Sequence, residues 1–410
     1  MLWVGLAVVL AAYYGLIVWV RQHSCPLAVR WALAMRVHYL LFGLVLGLLL
    51  PGQWAHTLQP VLHSLIFFVA TWCGFALGTM LDARVLRSLS PRLLVPVVLR
   101  TCLVFLLVYC AFWVLSPVVC AQAYPPSSRV PVALACGAVA CVGMPWTGIP
   151  AVRTIKSVSS ASKLLRSMSL VSAGPGLLAA SAAIYAATSQ GSIPDNILRS
   201  PGWFGRLGLS CVVGGIMGMV GDILVRDERD TRRTALLLFA TLAVATGVAV
   251  GTHLLAPLVG MIMGLWLINA TLCRMEITEF RERSADLFDG LLLALIGTAM
   301  GAVFEGTLGL ALAVIACALV LFVSRIVGDA LGCNLGARMV GLAVDSPRWL
   351  FGLGLLPQGG LTLAVAFVIK DVLPDRWFAI VVLSVLLTQW TSPHLLLWSL
   401  RSAERGTTKR

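Results

Sequence analysis

The sequence predicts an all-helical polytopic membrane protein with thirteen transmembrane helices. Hydrophobic residues make up 59% of the 410 residues and charged residues only 11%, whereas about 25% of a typical soluble domain is charged. Apolar runs of near-spanning length recur along the whole chain, and about 20 apolar residues are enough to cross a bilayer as a helix. The loops between these runs alternate between rich and poor in Lys and Arg, as the positive-inside rule requires.

The predicted spans follow one another with short connections. In chain order they cover residues 2–20, 37–50, 61–80, 93–116, 130–150, 167–187, 207–224, 235–251, 254–271, 287–303, 307–331, 349–369 and 377–400. The longest loops have around 15 residues, which is too short for a regulatory or nucleotide-binding domain. We therefore predict a single transmembrane domain over residues 1–410 and no soluble domain.

The basic residues predict the orientation of the chain in the membrane. Twenty-three of the 30 Lys and Arg residues fall in one set of alternating loops and in the tail, and five fall in the opposite set. Arg100 and Arg325 lie within spans. This bias predicts an outside N-terminus and a cytoplasmic C-terminus in a bacterial inner membrane. Because the net charge of +13 is spread thinly between apolar segments, it does not indicate a nucleic-acid partner.

Two spans carry helix breakers halfway along their length. The breakers are Pro145, Gly148 and Pro150 in the fifth span and Pro357, Gly359 and Gly360 in the twelfth. Proline removes a backbone hydrogen bond and clashes with the preceding turn, and unwound backbone at membrane depth is tolerated only against protein or a cavity. Such a pair is typical of transporters with inverted repeats and a midplane site. The alternative is that each proline marks a packed kink.

Several segments resemble those of a known transporter family. VHYLLFGLVLGLLLPG begins at Val37, FFVATWCGFALGTMLDARVLRS contains Asp82, and LLPQGG at residues 355–360 is the most specific segment. With them, the chain resembles the monovalent cation:proton antiporter superfamily, the sodium/hydrogen exchangers, over nearly its whole length. The resemblance implies a homodimer in the bilayer with core helices at about 93–187 and 307–400. It also implies two crossing broken helices and exchange of protons for sodium or potassium.

The ion site of this chain departs from the family pattern. The resemblance implies one or two carboxylates on the sixth span and a basic residue on the eleventh. Here the corresponding window, Ser172–Gly176, contains no acid, and Asp329 falls at or next to the basic position. The sign of the charges is inverted, so we expect a rearranged ion site.

Asp329 is the acid that we place inside a span and beside a broken helix, whereas Asp222 and Asp289 are expected within a turn or two of the inner surface. A charge at this depth costs at least about 2.5–3.5 kcal/mol and indicates function by default. Arg325, four residues earlier on the same helical face, is its expected partner. Asp329 is therefore our candidate proton carrier, and the alternative is a structural ion pair.

Neutral oxygen atoms complete the candidate site. Thr147 and Gln358 lie in the breaker motifs and are candidate cation ligands, and Ser172 offers a further hydroxyl oxygen. The alternative is that these side chains bond to the backbone freed at the breaks. Three roles stay open for the Arg100 side chain. It snorkels to the membrane surface, binds a carbonyl group of the core or contacts the substrate.

Three functions stay open on these grounds. The first is a proton-coupled monovalent cation antiporter with a rearranged site. The second is a carrier of an anion or organic solute on the same fold, and the third is a sensor or structural subunit that does not transport. The sequence contains no P-loop, HExxH or GxSxG motif, so we predict no enzyme, no cofactor and no metal other than a transported cation.

Overall fold

The computed structural model describes residues 37–49, 52–88, 91–119, 126–143, 160–189, 202–226, 228, 230–304, 311–341, 348–370 and 373–407. Within these ranges every regular element is a helix, which confirms the predicted fold class. The α-helices are α1 Val37–Leu49, α2 Gly52–Met80, α3 Ala83–Ser88, α4 Leu94–Val119, α5 Pro126–Cys141, α6 Ser160–Ser189, α7 Trp203–Val225, α8 Thr231–Gly251, α9 Ala256–Ala270, α10 Arg274–Phe304, α11 Ala311–Met339, α12 Arg348–Gly354, α13 Gly360–Val368 and α14 Asp375–Thr407. A 3₁₀ turn at Pro91–Leu93 precedes α4.

Eight of these helices are long and apolar enough to cross a bilayer: α2, α4, α6, α7, α8, α10, α11 and α14. Shorter apolar helices lie at His38–Leu48, Arg129–Cys141 and Ala256–Ala270. The predicted span 2–20 lies outside the described residues, and each later span contains at least one helix. The twelfth span is divided between α12 and α13, because the chain is not helical at residues 355–359.

One helix begins much earlier than expected. The predicted tenth span starts at residue 287, whereas α10 begins at Arg274 and continues to Phe304. The charged segment is helical because it is amphipathic: it buries Ile277 and Phe280, which are 0% and 5% exposed. As a result, Asp289 lies at the midpoint of α10 and not near its start.

A tight turn joins the eighth and ninth spans. Helix α8 ends at Gly251 and α9 begins at Ala256. His253 lies between them with a φ of 53°, a left-handed conformation that is uncommon outside glycine. The turn places the two helices next to each other.

Glycines allow three helix pairs to pack at close range. On α11, Gly328, Gly332 and Gly336 face α4, and a Cβ atom at Gly332 would overlap the Cα of Arg100. Glycines make equivalent contacts between α1 and α10 and between α2 and α9. Small residues at such positions let helix backbones approach in membrane proteins. Two further helices pack on the α4–α11 pair, α5 on α4 and α12 on α11.

The broken twelfth helix joins two groups of helices. Its first half, α12, packs on α11 and α14, whereas its second half, α13, packs mainly on α2 and α10. Helix α13 also contacts α5, so the break lies where the fifth and twelfth spans meet.

Candidate functional site

The break in the twelfth span leaves two backbone carbonyl groups without helical partners. Pro357 lacks an N–H group and ends the helical pattern, and Gly359 is extended, with φ −140° and ψ −156°. Nη2 of Arg100 donates to the carbonyl oxygen of Leu355 at 2.9 Å. Nη2 of Arg325 donates to the carbonyl oxygen of Leu356 at 3.4 Å. Two arginines from neighbouring helices therefore cap the C-terminal end of α12.

The end of α5 receives similar caps. Arg325 also donates through Nη1 to the carbonyl oxygen of Ala140. Nε2 of Gln358 approaches the carbonyl oxygens of Val139 and Val142 at 3.5 and 3.4 Å. The Thr362 hydroxyl donates to the carbonyl oxygen of Val142 at 3.0 Å. Gln358 thus contacts backbone carbonyl groups at the end of α5, which is the alternative that the sequence left open.

A charged cluster lies beside the break in the twelfth span and the C-terminal end of α5. Nε of Arg100 donates to Oδ1 of Asp329 at 2.5 Å, and Nε of Arg325 lies 3.6 Å from Oδ2. The exposed fractions are 3% for Arg100, 2% for Arg325 and 0% for Asp329. The structure therefore brings together the predicted pair and adds Arg100, 229 residues away in sequence, as the closer partner.

The arginines suit the electrostatics of the helix ends. The C-terminus of a helix carries roughly half a negative charge, and cations near it are stabilising. The ends of α5 and α12 both lie against this cluster, so their partial negative charges and Asp329 offset part of the positive charge of Arg100 and Arg325. Buried ions need this kind of pairing, since removing water from an unpaired charge costs several kcal/mol.

A second carboxylate lies at the start of α13. Asp289 is half-buried, and a Cβ atom at Gly360 would lie only 2.9 Å from its Oδ1. Gly360 is the first residue of α13, where unpaired N–H groups and the helix dipole favour negative charge. Asp289 thus lies beside the break in the twelfth span, while its expected depth near the inner surface stays a prediction.

The remaining candidate residues lie elsewhere or outside the described residues. The Ser172 hydroxyl is buried and donates to the carbonyl oxygen of Ser169 within α6 at 2.9 Å. Thr147, Pro145, Gly148 and Pro150 lie outside the described residues. Across the part of the chain that the structure describes, no group of three or more His, Cys, Asp or Glu side chains has the geometry of a metal site.

Known structures share this architecture. The sodium proton antiporter MjNhaP1 from Methanocaldococcus jannaschii, in a structure at pH 8, is 17% identical with a TM-score of 0.57 over 89% of this chain and 99% of that one. A second structure of MjNhaP1, from an electron microscopy map, is 17% identical with a TM-score of 0.59 over 98% and 96% of the two chains. No family model and no curated protein matches the sequence. The likeness confirms that this chain has the sodium/proton antiporter fold.

Proposed function

We propose that this membrane protein of sodium/proton antiporter fold exchanges protons for a monovalent cation, sodium or potassium. The proposal rests on one observation, which is that charged side chains lie against helix ends of the opposite partial charge. Arg100 and Arg325 face the C-terminal ends of α5 and α12, and Asp289 faces the N-terminal end of α13. Half-helix ends of this kind form the ion and substrate sites of secondary transporters.

Asp289 is the carboxylate that we assign to the exchanged ions. It is partly exposed, whereas Asp329 is fully buried and bound to Arg100. Hard cations prefer oxygen ligands, and a carboxylate can hold either a cation or a proton. Competition between the two for one carboxylate makes their transport a strict exchange. Asp289 thus takes the role that an acid on α6 has in the family that the sequence resembles.

The cluster of Arg100, Arg325 and Asp329 fixes the relative positions of the helix ends at the site. Arg325 joins the ends of α5 and α12, and Asp329 keeps both guanidinium groups in place. The hypothesis that Asp329 itself carries the proton stays a prediction, as do the roles of Gln358, Thr147 and Ser172 as oxygen ligands.

Exchange requires the site to face each side of the membrane in turn. Asp289 belongs to α10, and its neighbour Gly360 belongs to α13, which follows α12 across the break. We propose that helices α4–α6 and α11–α14 move as the core against the remaining helices, so that this contact changes with the bound ion. A homodimer in the bacterial inner membrane, with a cytoplasmic C-terminus, belongs to the same proposal.

Proton flux in proteoliposomes tests this function. A pH gradient is imposed, sodium, potassium and lithium are pulsed in turn at constant chloride, and a dye reports the internal pH. We expect one or more cations to dissipate the gradient in the wild-type protein and in Asp286→Asn, an exposed acid one turn earlier on α10. Asp289→Asn removes the response. No response to any cation in folded wild-type protein contradicts antiport.

A further inference from the structure

A small cavity lies beside the charged cluster, on the side of the break that faces α14. It is lined by α4, α5, α11, α14 and the break residue Gln358, and its volume is about 20 Å³. This volume has room for a single water-sized occupant. Its polar lining consists of Arg325, Gln358, Ser384 and Thr388. The rest of the wall is largely apolar, which keeps the dielectric constant low and strengthens any interaction with a charge inside.

Arg325 is the incompletely balanced charge of the cluster. Oδ1 of Asp329 accepts a hydrogen bond from Nε of Arg100 at 2.5 Å. Nε of Arg325 is 3.6 Å from Oδ2, and neither atom has a hydrogen-bond partner among the described residues. Two buried guanidinium groups therefore share one carboxylate, and one of them lines the cavity. A charge buried to this extent is stabilised by a second counter-ion.

Two hydroxyl groups in the cavity are able to turn towards an anion. The hydroxyls of Ser384 and Thr388 donate to the carbonyl oxygens of Val381 and Ser384, at 2.7 and 2.8 Å. Helix α14 is continuous here, so these carbonyls already accept helical N–H bonds. Turning the hydroxyls into the cavity therefore leaves no backbone group unpaired. The two side chains lie one turn apart on the same face of α14.

We propose that this cavity binds a single halide ion, with chloride as the natural occupant. The Arg325 guanidinium supplies the positive charge, and the hydroxyls of Ser384 and Thr388 supply hydrogen bonds. Room for about one water-sized sphere favours a monatomic ion over carboxylates, phosphate and sulfate. The bound halide completes the charge balance at the point where Arg325 joins the two broken helices, so it stabilises the crossing.

Thermal unfolding of the purified full-length protein in detergent tests the halide site. Chloride or bromide replaces gluconate at constant sodium concentration and ionic strength. We expect a saturable rise in Tm with either halide, because a ligand that binds the folded state stabilises it, and no rise with gluconate. Thr388→Val weakens the halide affinity about tenfold, the usual effect of losing a hydrogen bond to a charged group.

The control is Thr391→Val, which removes a hydroxyl from the next turn of α14 that bonds to Leu387 and does not line the cavity. It retains the wild-type halide dependence. If Thr388→Val does not fold, Ser384→Ala with Ser392→Ala as its control gives the same comparison. Equal Tm in chloride and gluconate, or an unchanged halide affinity in both cavity variants, overturns the proposal. The measurement involves no transport, so its failure is distinct from a failure of the antiport proposal.

Discussion

Arg100, Arg325 and Asp329 illustrate how a few buried side chains hold an interrupted helix in a membrane. The sequence predicted the Arg325–Asp329 pair from its spacing of four residues. It did not predict Arg100 as the closer partner, because that contact depends on how α4 packs on α11 and joins residues 229 positions apart. Asp289 was missed for a related reason, since only the packing of α10 on α13 brings it to Gly360.

Removing one member of the buried ion pair leaves the other without its counter-charge. We expect Arg100→Met to lower the free energy of unfolding by about 3–5 kcal/mol, measured by denaturation in mixed micelles. Replacing both members, as Arg100→Met with Asp329→Leu, costs less than Arg100→Met alone. The exposed Arg338→Met serves as the control and changes stability by less than about 0.5 kcal/mol. An equal loss in the single and double variants contradicts the ion-pair account.

The contact between Gly360 and Asp289 gives a second prediction at this scale. In Gly360→Ala, the new Cβ lies 2.9 Å from Oδ1, so the carboxylate has to move. We expect the apparent KM for the transported cation to rise severalfold in flux assays, with folding retained. Gly247→Ala on α8, where a Cβ meets nothing within 4 Å, leaves the KM unchanged. A wild-type KM in Gly360→Ala argues against Asp289 as the cation ligand.

At the scale of elements, the breaker residues were the most informative part of the sequence. Pro357, Gly359 and Gly360 predicted the interruption of the twelfth span, because proline and glycine act locally and need no knowledge of the partners. The start of α10 was predicted wrongly, since the charged segment from Arg274 becomes helical only by burying Ile277 and Phe280 against other helices.

The close packing of α4 on α11 depends on glycine. In Gly332→Ala, the Cβ overlaps the Cα of Arg100, so the helices separate and the arginine is displaced. We expect a clear loss of thermal stability, in the range of about 1–3 kcal/mol for overpacking. Gly215→Ala on α7 adds a Cβ in open space and is neutral or stabilising, since alanine is the better helix former. If both variants melt alike, backbone contact between α4 and α11 does not limit stability.

At the scale of the whole molecule, composition and apolar spacing were sufficient to predict a polytopic helical membrane protein, and the resemblance of particular segments to a known family implied the antiporter fold. Each span must satisfy its own backbone hydrogen bonds in lipid, so its presence can be read from a local run of sequence. The charged site is a different problem, because Arg100, Asp289 and Asp329 come from three helices whose packing no local pattern encodes. For this reason the membrane spans were predicted from the sequence, while the contacts of Arg100 with Asp329 and of Asp289 with Gly360 were found only in the structure.

The distribution of basic residues makes a prediction about the orientation of the molecule. We expect a green fluorescent protein fused after Arg410 to fluoresce. A phosphatase that is active only in the periplasm, fused at the same position, is expected to be inactive. The reason is that the densely basic loops stay on the cytoplasmic side. A phosphatase-positive C-terminal fusion reverses the proposed orientation and with it the side from which each ion enters.

The central claim is that a proton and a monovalent cation compete for Asp289. The most direct test is proton release when sodium or potassium is added to the purified protein in weakly buffered detergent solution, followed with a pH-sensitive dye. The account predicts that cation binding releases protons in the wild type and in Asp286→Asn, and that Asp289→Asn releases none. Proton release that persists in Asp289→Asn and disappears in Asp329→Asn contradicts this account. That result would identify Asp329 in the buried cluster as the proton carrier.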